Sequence, residues 1–321
     1  MRIGIVGATG IVGRELVTLL ATSKLGITEL RLSATSRSKG KTMATHLGEL
    51  KITEVDPAFF SGLDICFFCV SPAVSEKWVP VALANDVVSI DNSSRFRLEK
   101  DVPLVVPEVN GEQLGKGERI IANPNCIVTP LVAAIYPIKK HFGLEELILS
   151  TYQSVSGAGQ EALNQLEEEL GSYPRRPREG KFLLNVLGAI GSIDESGHCQ
   201  EEMKIVRETR KILNMPELPV AVTAARVAVK RGHCQAVTFI TGMYADPREI
   251  AEVLQAEGIV VTAAPPQPLI LGGSDKVYVG RLRENREHRP RSYSLWLGAD
   301  NLRKGAALNA LEIAEEWWFR H

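Results

Sequence analysis

The stretch Arg2-Ile-Gly-Ile-Val-Gly7-Ala-Thr-Gly10-Ile-Val-Gly13-Arg-Glu-Leu-Val-Thr-Leu-Leu20 decides the fold. Residues 2 to 6 are mostly β-branched and read as a short buried strand, while from Arg14 onward the apolar residues read as a helix. Between them three glycines allow a tight turn, let backbone N–H groups approach a pyrophosphate, and bring helix close to strand. The spacing is GxxGxxG, a variant of the GxGxxG fingerprint, with the preceding strand and following helix that a dinucleotide site requires.

Outward from this unit, a second strand is expected at 29–33, followed by Ala34-Thr-Ser-Arg-Ser-Lys-Gly-Lys41. NAD sites usually carry a carboxylate after the second strand. No acid stands in this run; Ser36 and Arg37 offer a hydroxyl and a planar guanidinium suited to a 2′-phosphate, so NADP is the expected cofactor. In isolation the same run reads as a solvated basic loop. Further strands are expected at 64–70, 87–91 and 104–106, with a helix at 75–84 between the first two. This alternation implies a Rossmann-type, doubly wound parallel sheet. The loop Asp91-Asn-Ser-Ser-Arg-Phe-Arg97 places Arg95 and Arg97 where open sheets bind ligands, and reads equally as an anion site or as surface charge.

In Ile120-Ile-Ala-Asn-Pro-Asn-Cys126 the Asn-Pro-Asn turn resists helix and strand alike and presents Cys126 just ahead of a helix expected at 128–141. Oriented amides and the helix dipole there favour a thiolate. Taken alone, Cys126 reads as a small buried residue. A strand at 147–153 leads into the small-residue loop Ser154-Val-Ser-Gly-Ala-Gly159, where backbone can approach a ligand. Residues 171–180 read as an exposed loop. A helix at 201–211 sets Glu201 and Lys204 on one face, an arrangement that an intrahelical ion pair explains. On the strand expected at 220–229, Arg226 interrupts an apolar run and needs an anionic partner, which a substrate carboxylate would supply. His233 follows the turn Lys230-Arg-Gly232. A helix at 247–256 and strands at 276–282 and 292–297 make the second domain α+β. Residues 300–314 carry apolar residues at helical spacing and are expected to return to the first domain. The expected organisation is a nucleotide domain over 1–125, completed by 301–321, and a catalytic and dimerisation domain over 126–300.

A formal net charge of −1 over 321 residues excludes the basic surplus that nucleic acid or anionic membrane demands of a partner, so a small molecule is expected. No apolar run reaches transmembrane length and Met1 leads straight into a strand, so a cytoplasmic enzyme is expected. The five cysteines are odd in number and lack paired metal spacing; Cys66-x-x-Cys69 lies in an apolar run and reads as strand core. Neither a disulfide framework nor a metal site is expected.

Jointly, Gly7-x-x-Gly-x-x-Gly13, Asp91-Asn-Ser-Ser94, Asn123-Pro-Asn-Cys126, Ser156-Gly-Ala-Gly159, Glu201-x-x-Lys204, Arg226 to His233 and Asp300-Asn-Leu-Arg-Lys-Gly-Ala-Ala307 resemble the aspartate-semialdehyde dehydrogenase family, in order and over essentially the whole chain. The resemblance implies NADPH-dependent reductive dephosphorylation of L-aspartyl 4-phosphate to the semialdehyde through a cysteine thioester, in lysine, threonine and methionine synthesis. It implies a homodimer or a homotetramer. It makes Cys126 the nucleophile, Gln153 its orienting neighbour and His233 the acid/base. Arg226 and Glu201 would clamp the substrate carboxylate and amine, and Arg97, Asn125 and Lys204 would hold the phosphate. Gly7, Thr9, Gly10, Ile11, Val12, Gly13, Ser36, Arg37, Ser156, Gly157 and Asn301 would meet NADP. This sequence departs from the family at Ile127, Ala228 and Cys234. Two other readings exist. An N-acetylglutamyl-phosphate reductase would not need Glu201 to meet an ammonium, and its cysteine follows glycine rather than Asn125. A non-catalytic NADP-binding regulator would not need to keep both Cys126 and His233.

Overall fold

The computed structural model describes residues 1–115, 117–173 and 181–320. The chain divides into two compact units, Met1–Asn125 with Ala306–His321, and Cys126–Gly305.

Within the first unit the order is β1 (Arg2–Val6), α1 (Ile11–Leu20), β2 (Glu29–Ala34), β3 (Thr42–Thr45), β4 (Gly48–Glu54), β5 (Ile65–Phe68), α2 (Pro72–Ala84), β6 (Val88–Asp91), α3 (Pro107–Asn110) and β7 (Ile120–Ala122). Among the described residues these strands form one seven-stranded sheet in the order β3-β4-β2-β1-β5-β6-β7, parallel except for the β3–β4 pair. Because β1 runs to β2 on one side and to β5 on the other, the sheet's topological switch lies at the end of β1, where open sheets bind ligands. Ile3, Ile5, Leu32 and Ile65 from the strands pack with Leu16 and Leu20 of α1 and with Leu311 and Ala314 of the C-terminal helix, Leu308–Arg320. That helix therefore completes the first unit's core, as its apolar spacing requires.

One expectation is corrected here, and one pair of strands is added. Residues 104–106 do not form a strand: pairing stops at a single bridge, Leu104 to Ala122. The Val106 amide donates instead to Asn110 Oδ1 at 2.9 Å, and Pro107 opens α3. Residues 42–54, given no element from the sequence, form the β3–β4 hairpin, and β4 lies parallel to β2 with Glu54 paired to Ala34.

The second unit contains α4 (Val128–Phe142), β8 (Glu146–Gln153), α5 (Gln160–Ser172), β9 (Val186–Leu187), α6 (Gln200–Ile212), β10 (Val220–Val227), β11 (His233–Ile240), α7 (Pro247–Ala256), β12 (Val260–Thr262), α8 (Pro268–Leu271), β13 (Val277–Glu284) and β14 (Ser292–Ala299). Its described strands form a mixed sheet in the order β12-β13-β14-β11-β8-β10-β9. The loop expected at 171–180 is corrected at its start, since α5 carries the helix through Ser172; residues 174–180 lie outside the described residues. Strand register places the chemistry. β8 and β10 are parallel with Gln153 opposite Arg226, and the antiparallel β11 begins at His233 beside the end of β8. The ends of two strands and the start of a third thus fall at one edge of one sheet.

Candidate active site

Gly7 ends β1 with φ +92°, and a Cβ there would stand 2.3 Å from the Cys69 carbonyl oxygen. A Cβ on Gly13 would meet the Gly7 oxygen at 2.2 Å, so this turn closes only around glycine. Among the described residues no side chain caps α1, and no acid stands in its first turn, which leaves the helix N-terminus electropositive. Beside it opens a cleft of about 550 Å³ whose lining includes Thr9, Gly10, Thr35, Arg37, Glu54, Lys77 and Trp78. Ser33 also lines it, fully buried and with its hydroxyl unpartnered among the described residues. Phosphate-sized access at a glycine turn, an uncapped helix and two cations on the wall fit a dinucleotide. Ile11 and Val12 start α1. Ser36 is not among the lining residues, whereas Thr35 is. The sequence reading missed Glu54, Lys77 and Trp78. An acid does reach the cleft, on β4 rather than β2, where it pairs with Lys39 at 3.5 Å.

Of the anion candidates in the first unit, Arg95 is a surface residue paired to Glu76 at 3.0 Å and Glu99 at 2.6 Å. Arg97 is buried, and its Nε and Nη2 donate to the carbonyls of Asn123 and Asn92, both at 2.8 Å. Asn123 is held in turn by Asn92 Oδ1 at 2.7 Å and by Asn309 at 2.6 Å, so Arg97 and its neighbours shape the turn that leads to the buried Asn125.

The second unit gathers the remaining candidates. Cys126 lies two residues ahead of α4, and its Sγ is 3.3 Å from His233 Nε2. His233 is 2% exposed; burial, and next the Arg226 guanidinium, hold its pKa well below the usual histidine value. The ring's Nδ1 lies 3.0 Å from both the amide nitrogen and the hydroxyl of Ser154. Arg226 donates from Nη1 to the Ser154 carbonyl at 2.8 Å; burial lowers its pKa, opposed by the charges of Cys126 and Glu201. Gln153 Nε2 donates to Glu201 Oε1 at 3.2 Å, and Glu201 Oε2 meets Lys204 at 3.8 Å, so the ion pair read from the helix exists inside the cluster. Of the residues expected at the cofactor, Asn301 bonds Ser154 and Ser156, and a Cβ on Gly157 would fall 3.1 Å from His233 Nε2. Ser154 was missed, because what it contributes is a main-chain amide. Among the other thiols, burial raises Cys66 well above its usual range, Cys69 to about 12 and Cys234 to about 11.

Chemically, a thiol beside an imidazole, with a buried guanidinium and a buried carboxylate in the same cluster, suits covalent catalysis on a small zwitterionic acyl compound. Residues 2–117 match the family model for the semialdehyde dehydrogenase NAD binding domain and residues 135–304 that for its dimerisation domain. Fold and site together define an oxidoreductase with a Rossmann-type nucleotide domain that binds a nicotinamide cofactor. The chain is 39% identical to the aspartate-semialdehyde dehydrogenase of Aquifex aeolicus, covering 98% of this chain and 97% of that one, and 36% identical to that of Bacillus subtilis, covering 98% and 96%. The crystal structure of aspartate semialdehyde dehydrogenase II from Vibrio cholerae superposes with a TM-score of 0.93 at 38% identity, over 98% of this chain and 97% of that one; the form complexed with ASA gives 0.94 at 36%, over 99% and 98%. This chain belongs to the aspartate-semialdehyde dehydrogenase family. Among the described residues no helix is long and apolar enough to cross a membrane.

Proposed function

We propose that this chain reduces L-aspartyl 4-phosphate with NADPH to L-aspartate 4-semialdehyde and phosphate, in the cytoplasmic synthesis of lysine, threonine and methionine, with Cys126 as nucleophile. The observation that carries the reading is the 3.3 Å contact between Cys126 Sγ and His233 Nε2. The complex of the Vibrio cholerae relative with ASA supports the choice of substrate. Cys126 thiolate attacks the acyl carbon and displaces phosphate, leaving a thioester on Sγ. A bound nicotinamide supplies the hydride that reduces this thioester. Collapse of the tetrahedral adduct on Cys126 then releases the aldehyde and returns the thiolate.

Each side chain has a matching task. Arg226 grips the substrate carboxylate, Glu201 meets its ammonium, and Gln153, bonded to Glu201, orients the acyl group beside the sulfur. Lys204, on α6, serves the phosphate. The first unit binds NADP, with Arg37 and Lys77 on the cleft wall supplying charge for a 2′-phosphate. The second unit carries the catalytic residues and pairs two copies into a homodimer.

The test is turnover measured as NADPH formed from aspartate semialdehyde, phosphate and NADP. Cys126→Ala should lower kcat by at least about 10³, because the covalent route is lost. Near-normal turnover in that variant would refute the reading, as would equal turnover of an N-acylated semialdehyde.

A further inference from the structure

We propose that Gln235 is a positioning residue for the nucleophile: its side-chain amide holds the Ile127 carbonyl and so fixes Cys126 in register with His233. This role rests on the reading of Cys126 as nucleophile and adds to that site a residue that acts through the peptide after the cysteine.

β11 is the middle strand of the second unit's described sheet, with Gln235 opposite Leu297 of β14 on one side and Thr151 of β8 on the other. Side chains two residues apart on a strand share a face, so His233 and Gln235 project together from β11, in line with the buried Val237 and Phe239. Each of the first two meets one of two consecutive residues in the turn ahead of α4. His233 Nε2 lies 3.3 Å from Cys126 Sγ, and Gln235 Nε2 donates to the Ile127 carbonyl at 3.0 Å. One strand therefore carries both anchors. Their separation along it, about 6.6 Å for two residues, ties the thiol to the ring through the sheet rather than through two independent loops.

The turn has use for such an anchor. Ile127 stands at the N-cap of α4, where its apolar side chain cannot cap the helix, and the Leu131 amide reaches the Ile127 oxygen only at 3.3 Å. Gly305 packs against the cysteine itself, since a Cβ there would stand 3.0 Å from the Cys126 carbonyl oxygen and 3.1 Å from Cys126 Cβ. Packing of this kind limits the room around Cys126, and a hydrogen bond of fixed direction selects one position within that room.

The two ends of the Gln235 amide separate function from stability. A carbonyl only accepts, so the nitrogen must face Ile127 and the oxygen must point elsewhere. Gln235 is 1% exposed, and its Oε1 has no hydrogen-bond partner among the described residues. A buried acceptor left unpaired costs about as much as a hydrogen bond contributes, or more, so the side chain adds little net stability. Stability given up in this way for geometry is characteristic of functional sites.

Gln235→Met keeps the length of the side chain and removes both the donor and the unpaired oxygen. In the full-length enzyme it should leave Tm unchanged or raised while kcat with aspartate semialdehyde, phosphate and NADP falls by about 10- to 100-fold, the loss expected when reacting groups shift by up to about 1 Å. KM values should move by less than about threefold, since substrate and cofactor contacts are untouched. Brief iodoacetamide treatment and peptide mapping give a readout independent of turnover: alkylation of Cys126 near neutral pH should slow by about two- to fivefold as the thiol leaves its place at the helix start. Gln235→Leu, a second apolar replacement, should give the same pattern. A lowered Tm with kcat of the folded enzyme near normal would make Gln235 a structural residue and overturn the proposal, as would an unmoved alkylation rate; in both cases the Cys126 reading stands. Near-normal turnover in Cys126→Ala would instead sink the reading beneath it.

Discussion

Gly157→Ala isolates the packing behind the catalytic pair. A Cβ at this position would lie 2.8 Å from Arg226 Nη1, 3.1 Å from His233 Nε2 and 3.2 Å from His233 Cε1. Nη1 would have to retreat by about 0.6 Å to reach ordinary contact, yet it is buried and bonded to the Ser154 carbonyl at 2.8 Å, so the His233 ring must share the movement. Misplacement of reacting groups by about 1 Å can reduce rate by about 10²-fold, so a displacement of this size should lower kcat/KM for aspartate semialdehyde by about 10- to 100-fold, or about 1.4 to 2.7 kcal/mol. Overpacking of this kind typically destabilises by about 1–3 kcal/mol, so the variant should fold with a lowered Tm. Steady-state kinetics in both substrates and a melting curve on the same preparation check the expectation. If KM for NADP rises while kcat and KM for the semialdehyde hold, Gly157 belongs to the cofactor, as the family resemblance implied, and the packing argument is refuted.

Cys126 should be the first of the five thiols alkylated by brief iodoacetamide near neutral pH, because burial raises Cys66, Cys69 and Cys234 and closes off Cys199; peptide mapping that finds Cys199 or Cys234 equally labelled would contradict this. Arg37→Glu should reduce or reverse the preference for NADP over NAD, and Glu54→Gln should raise it by about two- to fivefold, the effect of an exposed charge of about 0.2–1 kcal/mol; unchanged kcat/KM ratios would remove both residues from recognition. Arg226→Lys should raise KM for the semialdehyde strongly with NADP affinity intact, since a point charge cannot reproduce a bidentate grip, whereas a loss of NADP affinity would give Arg226 a structural role. Because the folded-state pKa of His233 is depressed, its contribution to stability is complete above the unfolded value near 6.5 and is lost as pH falls below it, at up to about 1.4 kcal/mol per pH unit; His233→Asn should flatten the dependence of urea midpoint on pH between about 7.5 and 5, and an unchanged slope would contradict the buried neutral ring.

Most of the first unit was legible because its signals are local. The glycine turn sits between a strand and a helix in sequence, and the period of the C-terminal helix marks an apolar face wherever that face packs. The errors came where a nearby side chain, or pairing with a distant strand, decided the outcome. Residues 104–106 have strand composition, but Asn110 takes the Val106 amide. The β3–β4 hairpin was legible in principle, since Leu50 and Ile52 alternate with Lys51 and Thr53, yet its place beside β2 was not, and that placement brings Glu54 to the cleft. The absence of an acid after β2 was therefore correct for the chain and incomplete for the cleft.

The catalytic cluster shows a different limit. Cys126, Gln153, Glu201, Arg226 and His233 carry side chains whose chemistry can be named from sequence, and strand register explains how β8, β10 and β11 bring three of them to one sheet edge. What meets His233 Nδ1, however, is the amide of Ser154, a group every non-proline residue possesses. Residue identity says nothing of where an amide points; only the turn that ends β8, with the Ser154 carbonyl taken by Arg226 and its nitrogen turned to Nδ1, does so. One peptide segment thereby fixes the guanidinium and the imidazole together. A substitution that moves this segment should consequently disturb substrate binding and the placement of the histidine ring jointly, whereas changes confined to either side chain should separate them.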